Sequence, residues 1–454
     1  MKIVIEGAGE VGRYLAQMLS REANEITLVD CDGARLAKAT AIADVATVEG
    51  PSSSVKTLKE ARVGEADLFI AVNPSVPQQV NIVSALVAHN LGAKRVSVRI
   101  DDEEYLTPEN KYLFKQIGIE IMFFPERIAA DEIVDQLKHS AASESMDFAN
   151  GKLQISVFKI DENSELMKPE MNLMKFGEIA ARENLQFRVI AISRNEQTIM
   201  PNPTSRFKYH DLVFAIANKE SMPKLVELMG KSNLEISRLM IFGGTEMGEQ
   251  VAKVAGRQIK DIKIIEKNRA RCLELIEMFD SRVTVVNGDA RDADVLVEEN
   301  IHDYDAFAAL SESDEMNMLA CLMAKKFGVK HTIADIENVE YIRLAEEMGV
   351  DTVINKKLLT VGRIFKFTLS GKARSVKYMG GTTAEVLEYT VSPDSKITRC
   401  ALKDMGFPKN AVVGGVIRGS DAFIAVGDTV IEPYDRVAVF ALKEAVKEVD
   451  TFFK

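Results

Sequence analysis

The sequence predicts an α/β protein built twice over: two tandem parallel-sheet domains, each followed by a small α+β domain. Three observations predict it. First, the chain repeats itself: KIVIEGAGEVG at residues 2–12 returns as LMIFGGTEMG at residues 239–248, with Gly7 and Gly243 standing 236 positions apart. The same offset joins Asp30 to Glu266, Asn81 to Asn317, Gly92 to Gly328 and Tyr105 to Tyr341, so an internal duplication sets the architecture. Second, each copy alternates buried-type apolar runs with helically spaced segments, the pattern of a parallel sheet covered on both faces. Third, the strand-rich segment behind each copy is itself duplicated: Arg194 with Arg418 and Asp211 with Asp435 share an offset of 224.

In the first copy the strands read KIVIE, EITLVD, VATVE, DLFIAV, RVSVRI and IEIMFF, with helical spacing over 12–23 and 80–90. In the second copy they read LMIF, IKIIE, VTVV, DAFAAL, HTIADI and DTVIN. The first small domain offers LQISVFKI, QFRVIAI and LVFAIA, and the second AEVLEYTV, VVGGVIRG and RVAVFA. The resulting boundaries are 1–124 for the first large domain, 151–230 for its small domain, 237–355 for the second large domain and 376–454 for the second small one. Residues 125–150 and 356–375 are expected as linkers, polar and rich in small residues around 141–151 and 370–375. The apolar face of 358–369 is expected to pack into a core or between domains.

A chain of 454 residues exceeds one core, and 46% hydrophobic with 28% charged residues is ordinary for a globular protein. A net charge of −11 argues against a nucleic-acid partner. Cys31, Cys272, Cys321 and Cys400 form no CxxC pair and read as reduced small core residues. No run reaches the roughly 18 apolar residues of a membrane span, and the chain enters a strand without a signal-peptide pattern, so a cytoplasmic location is expected.

The glycine loops carry the chemistry. Gly7-Ala8-Gly9-Glu10-Val11-Gly12 follows a strand and opens a helix, and Asp30 closes the next strand. Gly7 allows the tight turn, Gly9 lets the backbone approach a pyrophosphate, and Gly12 lets helix and strand pack closely. The helix start near Glu10 presents free N–H groups to phosphate. Asp30 accepts from ribose hydroxyls and repels a 2′-phosphate, which favours NAD(H) or an adenosine phosphate such as ATP or ADP over NADP(H). This is the phosphate-binding pattern of a Rossmann-like domain. In the second copy, Gly243-Gly244-Thr245-Glu246-Met247-Gly248 puts Thr245 in the place of Gly9, where its hydroxyl either donates a hydrogen bond or narrows the pocket; Glu266 keeps the acid. Asn73 and Pro74, and Ser311 in the twin, sit at the carboxyl ends of strands, where ligands of open parallel sheets bind. Arg99 can pair with a phosphate, whereas its counterpart is Asp335. The anionic-ligand site is therefore expected to be stronger in the first half.

Catalytic machinery is not visible. The five histidines recur at neither offset, and no HExxH, metal-spaced Cys/His cluster or Walker lysine is present. The acidic run 312–315 reads as a helix start. The residues describe a nucleotide sensor rather than a catalyst, with an NAD-dependent oxidoreductase of duplicated fold as the alternative.

With these residues in view, the whole chain resembles the TrkA family, the cytosolic regulatory subunits of bacterial Trk potassium-uptake systems. The resemblance rests on KIVIEGAGEVG, ITLVD, DLFIAV with Asn81, RVSVRI with Tyr105, IKIIE, VVNGDA, DAFAALSESDEMN and PYDRVAVF. It implies two domains of the regulator-of-K+-conductance type and a homo-oligomeric ring, dimeric or tetrameric, under an integral membrane potassium-translocating subunit. It also implies gating by NAD(H) or ATP/ADP. By that pattern residues 7–11, Asp30, Asn73, Pro74 and Arg99 line the first site, and residues 243–247, Glu266 and Ser311 the second. The sequence departs from the pattern at Thr245 and at Gly50-Pro51-Ser52, opposite Gly288-Asp289-Ala290.

Overall fold

A computed structural model describes residues 1–20, 24–74, 76–138, 144–148, 151–160, 164–195, 197–231, 235–368, 373–378 and 384–453. The first large domain has strands β1 (Lys2–Glu6), β2 (Glu25–Asp30), β3 (Ala46–Glu49), β4 (Leu68–Ala71), β5 (Val96–Arg99) and β6 (Ile121–Phe123). Its helices are α1 (Glu10–Ser20), α2 (Gly33–Thr40), α3 (Val55–Glu60), α4 (Gln78–Leu91) and α5 (Pro108–Gln116). All six strands are parallel, in the order β3-β2-β1-β4-β5-β6. That order reverses direction between β1 and β4, and the crevice so formed at the strands' carboxyl ends receives the glycine loop after β1.

Residues 125–150, expected as a linker, hold helix α6 (Pro125–Lys138) and strand β7 (Glu144–Phe148); 139–143 and 149–150 lie outside the described residues. Ala129, Ala130, Ile133, Val134 and Leu137 give α6 an apolar stripe at helical spacing, and the stripe needs cover. β7 joins β8 (Leu153–Lys159), β9 (Phe187–Arg194), β10 (Gln197–Ile199) and β11 (Leu212–Asn218) in an antiparallel sheet, β10-β9-β11-β8-β7, with α7 (Leu173–Arg182) and α8 (Met222–Leu228).

The second half repeats this plan. Strands β12 (Arg238–Phe242), β13 (Asp261–Glu266), β14 (Val283–Asn287), β15 (Ala306–Ala309), β16 (His331–Asp335) and β17 (Thr352–Ile354) form the parallel order β14-β13-β12-β15-β16-β17. They alternate with α9 (Glu246–Ala255), α10 (Arg269–Met278), α11 (Ala293–Glu298), α12 (Asp314–Lys326) and α13 (Val339–Met348). The second expected linker likewise holds α14 (Lys356–Thr368) and the start of β18 (Ala373–Tyr378), with 369–372 outside the described residues. β19 (Ala384–Thr390), β20 (Ala411–Arg418), β21 (Asp421–Ile424) and β22 (Arg436–Leu442) complete the sheet β18-β19-β22-β20-β21, and α15 (Val446–Asp450) follows.

The two halves are interlocked. Ala129, Ala130, Ile133, Val134 and Leu137 of α6 are buried in the core of the second large domain, beside Leu239, Val251 and Ile262. In return Val361 and Ile364 of α14 are buried in the first domain's core with Leu15, Ile26 and Leu36. Of the expected face of 358–369, Val361 and Ile364 thus serve core packing across the domain junction. The two small sheets share one core as well, with Phe214 of the first against Phe440 of the second at 5.8 Å between ring centroids. Of the cysteines, Cys272 and Cys321 are buried as expected; Cys31 is exposed, because it follows the last paired residue of β2, and Cys400 is intermediate.

Candidate functional site

The first glycine loop has the shape its glycines require. Gly7 has φ +99°, and a Cβ there would lie 3.0 Å from the Asn73 Cα. A Cβ on Gly12 would fall 1.8 Å from the Gly7 carbonyl oxygen, so only glycine lets α1 start this close to β1. A Cβ on Gly9 would meet only Pro74 Cδ at 3.9 Å; this glycine faces open space, where a phosphate would approach the backbone. The Gly9 carbonyl accepts from Arg13 N at 2.9 Å and so begins the α1 ladder.

Asp30 grips this loop: one carboxylate oxygen accepts from Ala8 N at 2.6 Å and the other from Asp32 N at 2.9 Å, with the residue 5% exposed. Across the crevice, Asn81 donates through Nδ2 to the Asn73 carbonyl at 3.0 Å and fixes the turn that carries Pro74. The structure therefore brings together residues 7–12, Asp30, Asn73 and Pro74. Arg99 is the last residue of β5. Its guanidinium pairs with Asp101 at 3.0 Å and reaches Glu126 at 3.9 Å, at the junction with the second domain.

The second loop keeps the frame and changes the filling. Gly243 has φ +103°, and a Cβ on Gly248 would lie 2.1 Å from the Gly243 oxygen. Glu266 accepts from Gly244 N at 2.7 Å and from Asn268 N at 2.6 Å, repeating the Asp30 arrangement. The Thr245 hydroxyl donates to the Leu310 carbonyl at 2.8 Å and accepts from Gly248 N at 3.2 Å, which makes it the N-cap of α9. Of the two expectations for Thr245, the geometry shows a donated hydrogen bond, to the chain itself. Arg271 ties the loop further, donating from Nε to the Gly244 carbonyl at 2.7 Å and from Nη2 to Glu249 at 2.6 Å. Met247 is core, and Ser311 is held by Asn317, whose Oδ1 accepts from Ser311 N at 2.9 Å and from its hydroxyl at 2.7 Å.

Two groups of residues that the glycine motif does not reveal complete the site. At the domain junction, Lys356 pairs with Glu126 at 3.1 Å and Glu337 at 3.6 Å, while Lys357 pairs with Glu10 and, at 3.2 Å, with Glu337. The first turn of α1 is thereby joined to the crossover helix of the other half. At the equivalent place Glu246 faces Glu126 and Asp101, and lost solvation together with these two acids pushes it up to about 7. Burial likewise pushes Asp335 up to about 7, with Oδ1 unpartnered. Beneath the first loop lies Glu6, wholly buried and pushed up to about 8 by burial; Ser52 and Ser84 oppose the shift and Asp30 adds to it. A lone acid closing the otherwise apolar run KIVIE was the available signal for this group.

Among the described residues no group of His, Cys, Asp and Glu is placed to hold a metal ion, and no helix is long and apolar enough to cross a membrane. His89 and His302 are exposed.

Comparison with known proteins places the chain. The TrkA-N domain model matches residues 3–125 and again 239–356, and the TrkA-C domain model matches residues 386–454. A Trk system potassium uptake protein TrkA homolog of Methanosarcina mazei is 32% identical, with all of both chains covered. The Trk system potassium uptake protein TrkA of Halomonas elongata is 30% identical over all of this chain and 99% of its own. Among solved structures, the GsuK channel superposes with a TM-score of 0.62 at 15% identity, over 99% of this chain and 78% of that one. The NAD-bound GsuK channel gives 0.60 at 15% identity, over 100% and 78%. The duplicated glycine loops, the two parallel sheets and these full-length matches agree: the chain belongs to the TrkA family.

Proposed function

We propose that this protein is a nucleotide-sensing regulatory subunit of a potassium-uptake system, acting on a membrane partner that carries the ion. The observation that supports this most is the first glycine loop, open at Gly9 and held by Asp30, in a chain related over its full length to potassium-uptake proteins. Residues 7–11, Asp30, Asn73 and Pro74 line the first site. An adenine nucleotide there lays its pyrophosphate over Gly9 and the start of α1, and its ribose hydroxyls reach Asp30. NAD(H) suits this site, and a fold neighbour is a channel bound to NAD.

Residues 243–247, Glu266 and Ser311 frame a second, narrower site. Arg99 acts at the domain junction, where the ionic contacts of Glu10, Glu126, Lys356 and Lys357 link α1 to both crossover helices. A nucleotide that binds one arrangement of this junction better than another shifts its population, and the membrane partner reads the shift. A homo-oligomer multiplies the displacement. The role is regulatory and redox-silent, exercised at the inner face of the membrane through the partner.

The test is potassium flux through the reconstituted membrane subunit with and without this protein, titrated with NAD, NADH, ATP and ADP. Nucleotide-dependent flux that Gly9→Val removes is the expected result. Identical flux under all conditions excludes the regulatory role, and turnover of NADH would instead indicate an oxidoreductase.

A further inference from the structure

We propose that Glu6 is a positioning residue of the first nucleotide site, holding the loop after β3 in its neutral form and weakening nucleotide binding when it ionises. The inference rests on the nucleotide reading of that site. Glu6 is the last residue of β1, one position before Gly7, with its backbone paired to Val29 on one side and Ala71 on the other. Its side chain is wholly buried; Oε1 accepts from the Ser52 hydroxyl, and Oε2 has no partner.

The residues at the same places in the second domain are Phe242, Ala290 and, opposite Ser84, Ala320, all within one apolar core. The fold is therefore satisfied without an acid here. In the first domain three apolar positions are replaced together by a carboxyl and two hydroxyls, an arrangement directed at something other than packing.

The contacts lead to the ligand crevice. Ser52 belongs to the loop that begins at Gly50, whose N–H donates to the Asp30 carbonyl at 3.0 Å. The Asp30 carboxylate in turn receives the Ala8 N–H of the glycine loop at 2.6 Å. Glu6 thus ties the glycine-loop strand to the wall of the crevice from beneath. The groups that act on it are Asp30 from β2, Ser52 from the β3–α3 loop and Ser84 from α4, and none of them is a cation. Burial favours the neutral acid, and the carboxyl is pushed up to about 8. Once ionised, it sets a second negative charge beside Asp30 and below the pyrophosphate, within a medium that screens poorly.

The experiment measures the Kd of NADH, which has no phosphate titrating near neutrality, for the full-length protein between pH 6.5 and 9. Wild type and Glu6→Gln are compared, since glutamine keeps the shape and the Ser52 contact but cannot ionise. Wild type is expected to bind about tenfold more weakly at pH 9 than at pH 7, the effect of one nearby buried charge, while Glu6→Gln holds its affinity. If Glu6→Gln does not fold, a triple change that copies the second domain (Glu6→Phe, Ser52→Ala, Ser84→Ala) provides the non-ionising comparison. Parallel pH profiles in wild type and variant would overturn the proposal while leaving the nucleotide site standing. Failure of wild type to bind NADH at any pH would overturn both.

Discussion

Single residues decide what each glycine loop can accept. Gly9 and Gly12 lie three positions apart in one motif, yet their surroundings differ: open space at the first, a carbonyl oxygen 1.8 Å from the added carbon at the second. Gly12→Ala is accordingly expected to cost about 3 kcal/mol of stability through overpacking, measured by urea unfolding. Gly9→Val leaves the unfolding midpoint nearly unchanged and removes nucleotide binding, as titration calorimetry would show. Glu6 makes a separate prediction about stability. Its folded pKa, about 8, lies above the ordinary value of 4.5, so the folded state holds this proton more tightly than the unfolded one. Its contribution is complete below pH 4.5 and is lost as pH rises through about 8, on the order of 5 kcal/mol in all. Relative to Glu6→Gln, wild type should lose stability across that window in denaturant titrations. Equal loss in both proteins would show that Glu6 is not the group responsible. The turn at Gly7 and the close packing at Gly12 were legible in the sequence because strand, turn and helix follow one another locally; the hold of Asp30 on the Ala8 N–H was not. The place of Glu6 is not legible there, since one acid closing a strand acquires meaning only from what surrounds it.

At the scale of elements, the crossover helices α6 and α14 decide how the halves are joined. Both lie in segments that read as linkers from the small and polar residues around 141–151 and 370–375, although 358–369 shows an apolar face. The stripes could be counted in the sequence, but their partner could not: α6 is covered by the second domain and α14 by the first. Ile133→Ala, at a wholly buried position on α6, is expected to cost about 3 kcal/mol. Because Ile133 shares one core with residues of β12, β13 and α9, hydrogen exchange should speed up in the second domain, although the mutation lies before the first small domain. Acceleration confined to residues 1–124 would contradict this arrangement. In the small domains the repeat marked positions whose pairing the structure then shows. Arg194 and Asp211 make two hydrogen bonds, at 2.8 and 2.7 Å, and Arg418 and Asp435 repeat them at 3.0 and 2.8 Å. The shared 224-residue offset had marked all four positions.

Over the whole molecule, the junction between the large domains is ionic and unequal on its two sides. Glu10 of α1 meets Lys357, whereas Glu246, its counterpart on α9, meets Glu126 and Asp101. Asp335, in the place that Arg99 fills in the first domain, is buried beside the same cluster. Its pKa is raised from 3.8 to about 7, so its contribution to stability is complete below 3.8 and is lost as pH rises through about 7. The melting temperature should therefore fall between about pH 4 and 7, and Asp335→Asn should flatten that fall. A slope unchanged by Asp335→Asn would assign the effect to another group. Since this junction couples the crossover helices to α1, the same variant is expected to blunt the pH dependence of nucleotide-controlled potassium flux.

The sequence by itself determined the duplication, the two parallel sheets, the glycine loops with their acids, and the difference between the halves at Gly9 and Thr245. These are local or periodic signals, carried by residues close together in the chain or separated by a fixed offset. Only the tertiary structure decided that the halves exchange helices, that Arg99 serves the domain junction, and that Glu6 is a buried acid tied to Ser52. Each of those facts depends on burial and on contacts between distant segments, and no periodicity in a chain records which distant surface will cover a given face.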